Sequence, residues 1–221
     1  MRKLLRSLVI GAVALTAIPT TGRAQEGRLF TDAWFWGAKA GTMTFWTSRV
    51  AHQTAPVVGG EWLLTRKKAG LYIAFDQSNF TAKSTFRNYE VNSSGNVQYA
   101  GEGEASIRNN RRLTFAAMAF PKQYGNFRPY AGAGFAMNFL GRIRQTAGPV
   151  TSLSDSTLNE VSSTGAPILM LGTQYALNRV SVFGQGSYMP KVGRFLFNSN
   201  ETYFLEAGVR YNIGSSIDRA K

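Results

Sequence analysis

The sequence predicts an all-β fold: an eight-stranded antiparallel up-and-down transmembrane β-barrel. Three observations carry that expectation. The stretch Thr202 to Ile213 (TYFLEAGVRYNI) alternates with a period of two, placing Tyr203, Leu205, Ala207, Val209, Tyr211 and Ile213 on one face. Thr202, Phe204, Glu206, Gly208, Arg210 and Asn212 share the other. A strand sends successive side chains to opposite faces, so one face is apolar, with rings near both ends, and the other carries a carboxylate and a guanidinium. That is the pattern of a strand with lipid outside and a polar lumen inside, and the stretch is long enough, when tilted, to cross a bilayer core. Second, the connections between strand-like segments alternate long and short, as in barrels with long loops on one side of the membrane and tight turns on the other. Third, charged residues make up only 17% of the chain, against about 25% in an ordinary soluble domain.

Residues 1–24 are set apart from the fold. Met1 to Arg6 (MRKLLR) is a basic n-region, Ser7 to Ile18 a short apolar run, and Pro19 to Gln25 (PTTGRAQ) a polar, small-residue c-region. Gly22 and Ala24 stand at −3 and −1 of a cut between Ala24 and Gln25, the form of a secretory signal peptide. The barrel domain is then 25–221, or 221 − 24 = 197 residues, enough for one domain. No other stretch is long and apolar enough for a transmembrane helix. The absence of Cys removes disulfides, thiolate metal sites and a cysteine nucleophile. Net charge is +13, and removing Arg2, Lys3, Arg6 and Arg23 leaves +9. An exported chain meets no nucleic acid in the periplasm, so lipopolysaccharide phosphate is the natural anionic partner.

The elements follow in order. Trp34 to Trp46 (WFWGAKAGTMTFW) is the first strand, aromatic at both ends and small in the middle. Thr47 to Pro56 is a loop, Val57 to Thr65 the second strand, and Arg66 to Gly70 a tight turn. The third strand is Leu71 to Ser78, with Leu71, Ile73 and Phe75 opposite Tyr72, Ala74 and Asp76. Asn79 to Arg111, rich in Asn, Ser, Gly and charge, reads as a long polar segment. Arg112 to Phe120 is the fourth strand, Pro121 to Arg128 a turn, and Pro129 to Leu140 the fifth. Gly141 to Gly165 is a Ser/Thr-rich loop before the sixth strand, Ala166 to Leu177. Asn178 and Arg179 form a two-residue turn into the seventh, Val180 to Met189; Pro190 to Glu201 is a loop, and Thr202 to Ile213 closes the barrel. An even strand number brings both ends to the periplasmic side. Pro56, Pro121, Pro129, Pro149, Pro167 and Pro190 all fall in loops or at strand ends, as residues that cannot donate to a ladder should.

Alternation alone leaves a soluble lipocalin-like barrel as the rival, and composition argues against it. The less apolar faces carry Gly37, Gly41, Gly132, Gly134, Gly172, Gln174, Ser181, Gln185 and Ser187. Small and neutral residues suit the crowded lumen of an eight-stranded barrel, which side chains fill. Isolated charges there are costly, so Lys39, Glu61, Asp76, Glu206 and Arg210 are expected to form a lumen network. Glu206 and Arg210, on one strand, read as a structural pair in preference to a gate.

Trp34, Trp36, Trp46, Tyr175, Tyr203 and Tyr211 are expected to form girdles at the two membrane interfaces. The competing reading, a stacking platform for sugars or bases, suits loops better than strands. Arg108, Arg111 and Arg112 flank the start of the fourth strand, where they either clamp lipid phosphates or form a solvated loop base.

The segments WGAKAG (Trp36 to Gly41), RPYAGAG (Arg128 to Gly134) and AGVRYNIG (Ala207 to Gly214) resemble the small outer-membrane β-barrel domain family, which includes the OmpA-type transmembrane domain and its stand-alone relatives. The resemblance covers the expected mature chain and is one of pattern. It implies a bacterial outer-membrane location and a terminal aromatic strand read by the outer-membrane assembly machinery. Tyr211 and Ile213 fit that strand, although Gly214 to Lys221 follows as a tail. A peptidoglycan tether of the OmpA kind is not expected.

No catalytic residue, metal site or cofactor is assigned. Two outer-membrane barrel families act on lipid A. The deacylase type needs His-x-Ser, whereas His52, the one histidine, is followed by Gln53 and Thr54. The palmitoyltransferase type uses a loop His with Asp and Ser, which His52, Asp76 and Ser78 resemble only faintly. The functional expectation is a monomeric structural or surface-interaction barrel in contact with outer-membrane lipid and lipopolysaccharide. The alternative is an OmpW-type narrow channel for small hydrophobic molecules.

Overall fold

In the computed structural model, which describes residues 30–49, 52–151, 153–191, 195–196 and 201–215, the alternating segments become one closed wall. The expected signal peptide lies outside those residues. The strands are β1 (Ala33–Phe45), β2 (Gln53–Arg66), β3 (Ala69–Val91), β4 (Val97–Ala119), β5 (Phe127–Ala147), β6 (Ser163–Leu177), β7 (Val180–Met189) and β8 (Thr202–Ser215). A short helix, α1 (Ser154–Ser162), precedes β6. Every strand pairs antiparallel with the next, and β8 closes on β1 from Ala33↔Ser215 to Thr44↔Tyr203. Closure removes the unpaired edges that an open sheet would leave in lipid.

The faces fall as the period of two requires. On β8, Tyr203, Leu205, Ala207, Val209, Tyr211 and Ile213 are exposed, while Phe204, Glu206 and Arg210 are buried. Large apolar side chains cover the outside, including Leu71, Phe75, Phe115, Phe135, Leu171 and Leu205, the last two 70% exposed. A soluble barrel would put charge there, so the lipocalin-like reading fails on its outer wall.

The short turns sit at one end. Lys67 (φ 49°) and Asn178 (φ 60°) begin the β2–β3 and β6–β7 turns in the left-handed region, which bends the chain within two residues. At the other end the structure departs from the sequence reading, because several strands run well past the expected boundaries. The polar segment Asn79 to Arg111 is largely strand: β3 and β4 continue to Val91 and from Val97, pairing out to Val91↔Val97. Phe80, Ala82, Ser84, Phe86 and Asn88 are all buried on one face of this hairpin.

Longer strands also take in prolines. Pro56, Pro129 and Pro167 lie within β2, β5 and β6 rather than at their edges. Each is paired on one side only: Pro56 with Thr42, Pro129 with Thr173 and Pro167 with Phe135, beyond the last pair with the other neighbouring strand. A missing N–H costs little in such an overhang.

The extended hairpin caps the barrel. Phe80, Ala82, Phe86, Ala105 and Ile107 pack with Phe45, Leu140, Val161 of α1, Phe195 and Leu196 into a buried apolar cluster. Polar ties hold it: Ser84 Oγ donates to the Leu196 carbonyl at 3.0 Å, Asn88 Nδ2 to the Pro149 carbonyl at 2.7 Å, and Ser154 Oγ to Asn88 Oδ1 at 3.1 Å.

Candidate functional site

Three layers of side chains fill the lumen. At the short-turn mouth, Phe30, Phe35, Leu63 and Phe120 are buried around Arg128. The Arg128 guanidinium lies 4.2 Å from the Phe120 ring centroid and donates to the Phe30 carbonyl at 2.6 Å. Arg128, read as the end of a turn, is thus an inward residue of β5 that pins the entering N-terminal segment.

The middle layer brings the five expected charges into one network. Lys39 Nζ lies 2.9 Å from Asp76 Oδ1 and 3.0 Å from Glu206 Oε1. Arg210 Nε pairs with Glu61 Oε1, and its Nη1 donates to Gln174 Oε1 at 2.7 Å. Glu206 and Arg210 do not pair with each other. Gly208 stands between them, where a Cβ would meet the Ala38 carbonyl oxygen and the edge of the Phe183 ring, and that ring stacks on Arg210 at 3.8 Å.

Arg112 requires the plainest correction. Expected either beside lipid phosphates or at a solvated loop base, it is 2% exposed inside the barrel. Its Nη2 lies 2.7 Å from Asp76 Oδ2 and 3.0 Å from Glu206 Oε1, and its guanidinium sits 3.6 Å over the Phe204 ring. Parity gave the signal, since Arg112 falls on the same face as Thr114, Ala116 and Met118, opposite Leu113 and Phe115. With Arg112 included, Lys39, Arg112 and Arg210 balance Glu61, Asp76 and Glu206. Neutrality matters because an unmatched buried charge is far costlier than a matched set.

Two neutral residues link the charges. The Tyr72 hydroxyl donates to Glu61 Oε2 at 2.9 Å and accepts from Lys39 Nζ at 3.0 Å. Gln185 Nε2 donates to Glu206 Oε2 at 3.0 Å, and its Oε1 accepts from the Tyr130 hydroxyl at 3.1 Å. The sequence placed Tyr72 opposite Leu71 without assigning it to the network. Above this layer lies the apolar cap.

On the outer wall, Trp36, Tyr175, Tyr203 and Tyr211 are exposed, and Trp34 and Trp46 partly so. Trp62 and Tyr188 join them: Trp62 meets Trp36 at 5.1 Å and Trp34 at 5.8 Å, while Tyr203 meets Tyr188 at 5.3 Å and Trp46 at 5.9 Å. The first group lies toward the short turns and the second toward the loops. Arg108 and Arg111 are exposed on this wall.

The lipid A constellation does not assemble. His52 is exposed against Trp46, 5.5 Å between centroids, whereas Asp76 is held in the lumen by Lys39 and Arg112. Ser78 is buried and directed at Met43 Sδ, 3.8 Å away.

No family model and no curated protein sequence matches the chain. Among solved structures it is similar to Neisserial surface protein A (NspA), with 15% identity and a TM-score of 0.52 over 81% of this chain and 97% of that one. It is similar also to OprG of Pseudomonas aeruginosa, at 13% identity and a TM-score of 0.47 over 85% and 99%. A third is the outer membrane protease OmpT of Escherichia coli, at 8% and 0.42 over 82% and 97%. The likeness to NspA shows a shared fold, the small barrel of outer-membrane type.

Proposed function

We propose that this chain is a monomeric integral protein of the bacterial outer membrane with a structural or surface-interaction role. In this reading a closed barrel anchors the β3–β4 hairpin and α1 outside the cell. The observation that carries it is the filled lumen: an aromatic plug, a neutral network of six buried charges and an apolar cap stand in series. The interior of an eight-stranded barrel is just wide enough for side chains to fill, which supports a lumen closed to water. The apolar outer wall and its two aromatic groups support a bilayer as the surrounding medium.

The β8 strand, with Tyr211 and Ile213 on its outer face, is the segment the outer-membrane assembly machinery would read. A narrow channel for small hydrophobic molecules draws less support, because the apolar residues at the mouth pack against one another. Lipid A chemistry draws none from His52, Asp76 and Ser78, since His52 is exposed outside while Asp76 and Ser78 are buried in the lumen. Planar-bilayer recording of the folded chain tests the closed barrel. Silence is the expected result, and a steady unitary conductance would overturn it.

A further inference from the structure

Four exposed arginines converge on the outer wall where β4 and β5 leave the apolar band. Strict alternation would send Arg108 and Arg111, three residues apart, to opposite faces. The β4 register slips against β3 at this point, and Asn109 adopts φ 58°. Buried Ile107 and buried Asn110 therefore flank the slip, and Arg108 and Arg111 both emerge outside. On β5, Arg142 stands directly opposite Arg108, Arg144 opposite Ser106, and Phe139 opposite Arg111.

Like charges directly opposite across a ladder repel and destabilise. Among the described residues none of the four arginines has an ion-pair partner. The carboxylate nearest along the same face of β4, Glu104, is engaged by Lys83 at 3.0 Å and Arg49 at 3.5 Å. The hydrogen bond from Lys83 holds Glu104 below the usual carboxylate range, so it stays occupied as an anion elsewhere.

Position then selects the ligand. Leu113 and its cross-strand neighbour Phe75 lie just to the membrane side of Arg111, and Phe139 lies beside it. The patch is therefore at the level where acyl chains end and headgroups begin, on the loop side. Guanidinium forks match phosphate oxygens in a bidentate way. We infer that Arg108, Arg111, Arg142 and Arg144 form a binding site for the phosphate groups of a membrane-embedded phosphorylated glycolipid. The site rests on the membrane placement proposed above. A bound phosphate between Arg108 and Arg142 turns their repulsion into a shared contact.

The test uses the full chain folded in maltoside micelles, titrated with bis-phosphorylated lipid A or its dephosphorylated form, with bound lipid counted by native mass spectrometry. Wild type is expected to prefer the phosphorylated lipid. Arg108→Gln/Arg142→Gln should weaken that binding by about fivefold per arginine removed, while Arg66→Gln/Lys68→Gln, at the opposite end of the barrel, should leave it unchanged. No preference in folded wild type, or equal binding by the Arg108/Arg142 variant, would overturn the site alone. Inorganic phosphate binding as tightly as the lipid would overturn the lipid as its source. Failure to fold in micelles would overturn the membrane placement and the site with it.

Discussion

Arg112 Nη2 lies 3.0 Å from Glu206 Oε1, although Arg112 is on β4 and Glu206 on β8, half the circumference apart. A contact across the diameter means the lumen is spanned by side chains. Lys39 on β1 and Asp76 on β3 complete a ring of alternating sign with them. Removing one member leaves a buried charge unmatched. Arg112→Met is expected to destabilise the barrel by about 3–5 kcal/mol, read as the shift in urea midpoint for unfolding from vesicles.

Glu61 and Arg210 form an ion pair separate from that ring, with both side chains buried. Glu61→Gln and Arg210→Met should each cost about 3–5 kcal/mol alone, and the double variant less than their sum. A double-mutant cycle by the same unfolding assay measures the coupling; strict additivity would mean the pair is not coupled.

Leu205 and Asn212 test the two faces of one strand. Leu205→Arg places a charge in the apolar band and should cost about 2–4 kcal/mol near the midplane. Asn212 faces inward near the short-turn rim, so Asn212→Arg should be the milder change. Equal tolerance at both positions, measured by unfolding in vesicles, would count against the assigned faces.

Gly41 sits at the closing seam. A Cβ there would lie 2.0 Å from the Leu205 carbonyl oxygen and 2.7 Å from Glu206 Cα, so backbone must move to admit one. Gly41→Val is expected to cost about 1–3 kcal/mol and to loosen β1–β8 pairing, visible as faster amide exchange at Leu205 and Ala207.

Much of this was legible from period-two alternation. The faces of β8 and β3, the outward placement of the six aromatic residues and five of the six charges in the middle layer follow from which side each residue occupies. The losses occurred where local composition competed with parity. Arg112 and Arg128 stand beside polar or turn-like sequence, whose local signal points to a loop while their parity points inward. Asn79 to Arg111 looked like loop because its outer face is charged and its inner face mixes Ser and Asn with Phe. The pairing of Lys39, Asp76, Arg112 and Glu206 has no local signal, because the stagger of a closed barrel decides which inward residues share a level. The slip at Asn109, which puts Arg108 and Arg111 on one wall, is likewise visible only in the ladder.

The central claim is that the apolar face of each strand meets lipid and the polar face meets a packed interior. The chain has no cysteine, so a single introduced Cys at each position from 203 to 211 carries a nitroxide label without competition. Electron paramagnetic resonance in vesicles then reports oxygen against a water-soluble nickel relaxant. The expected result is a period of two, with oxygen dominant at 205, 207 and 209 and neither agent effective at 206 and 210. Nickel access at 205, 207 and 209 in the folded chain would contradict the account.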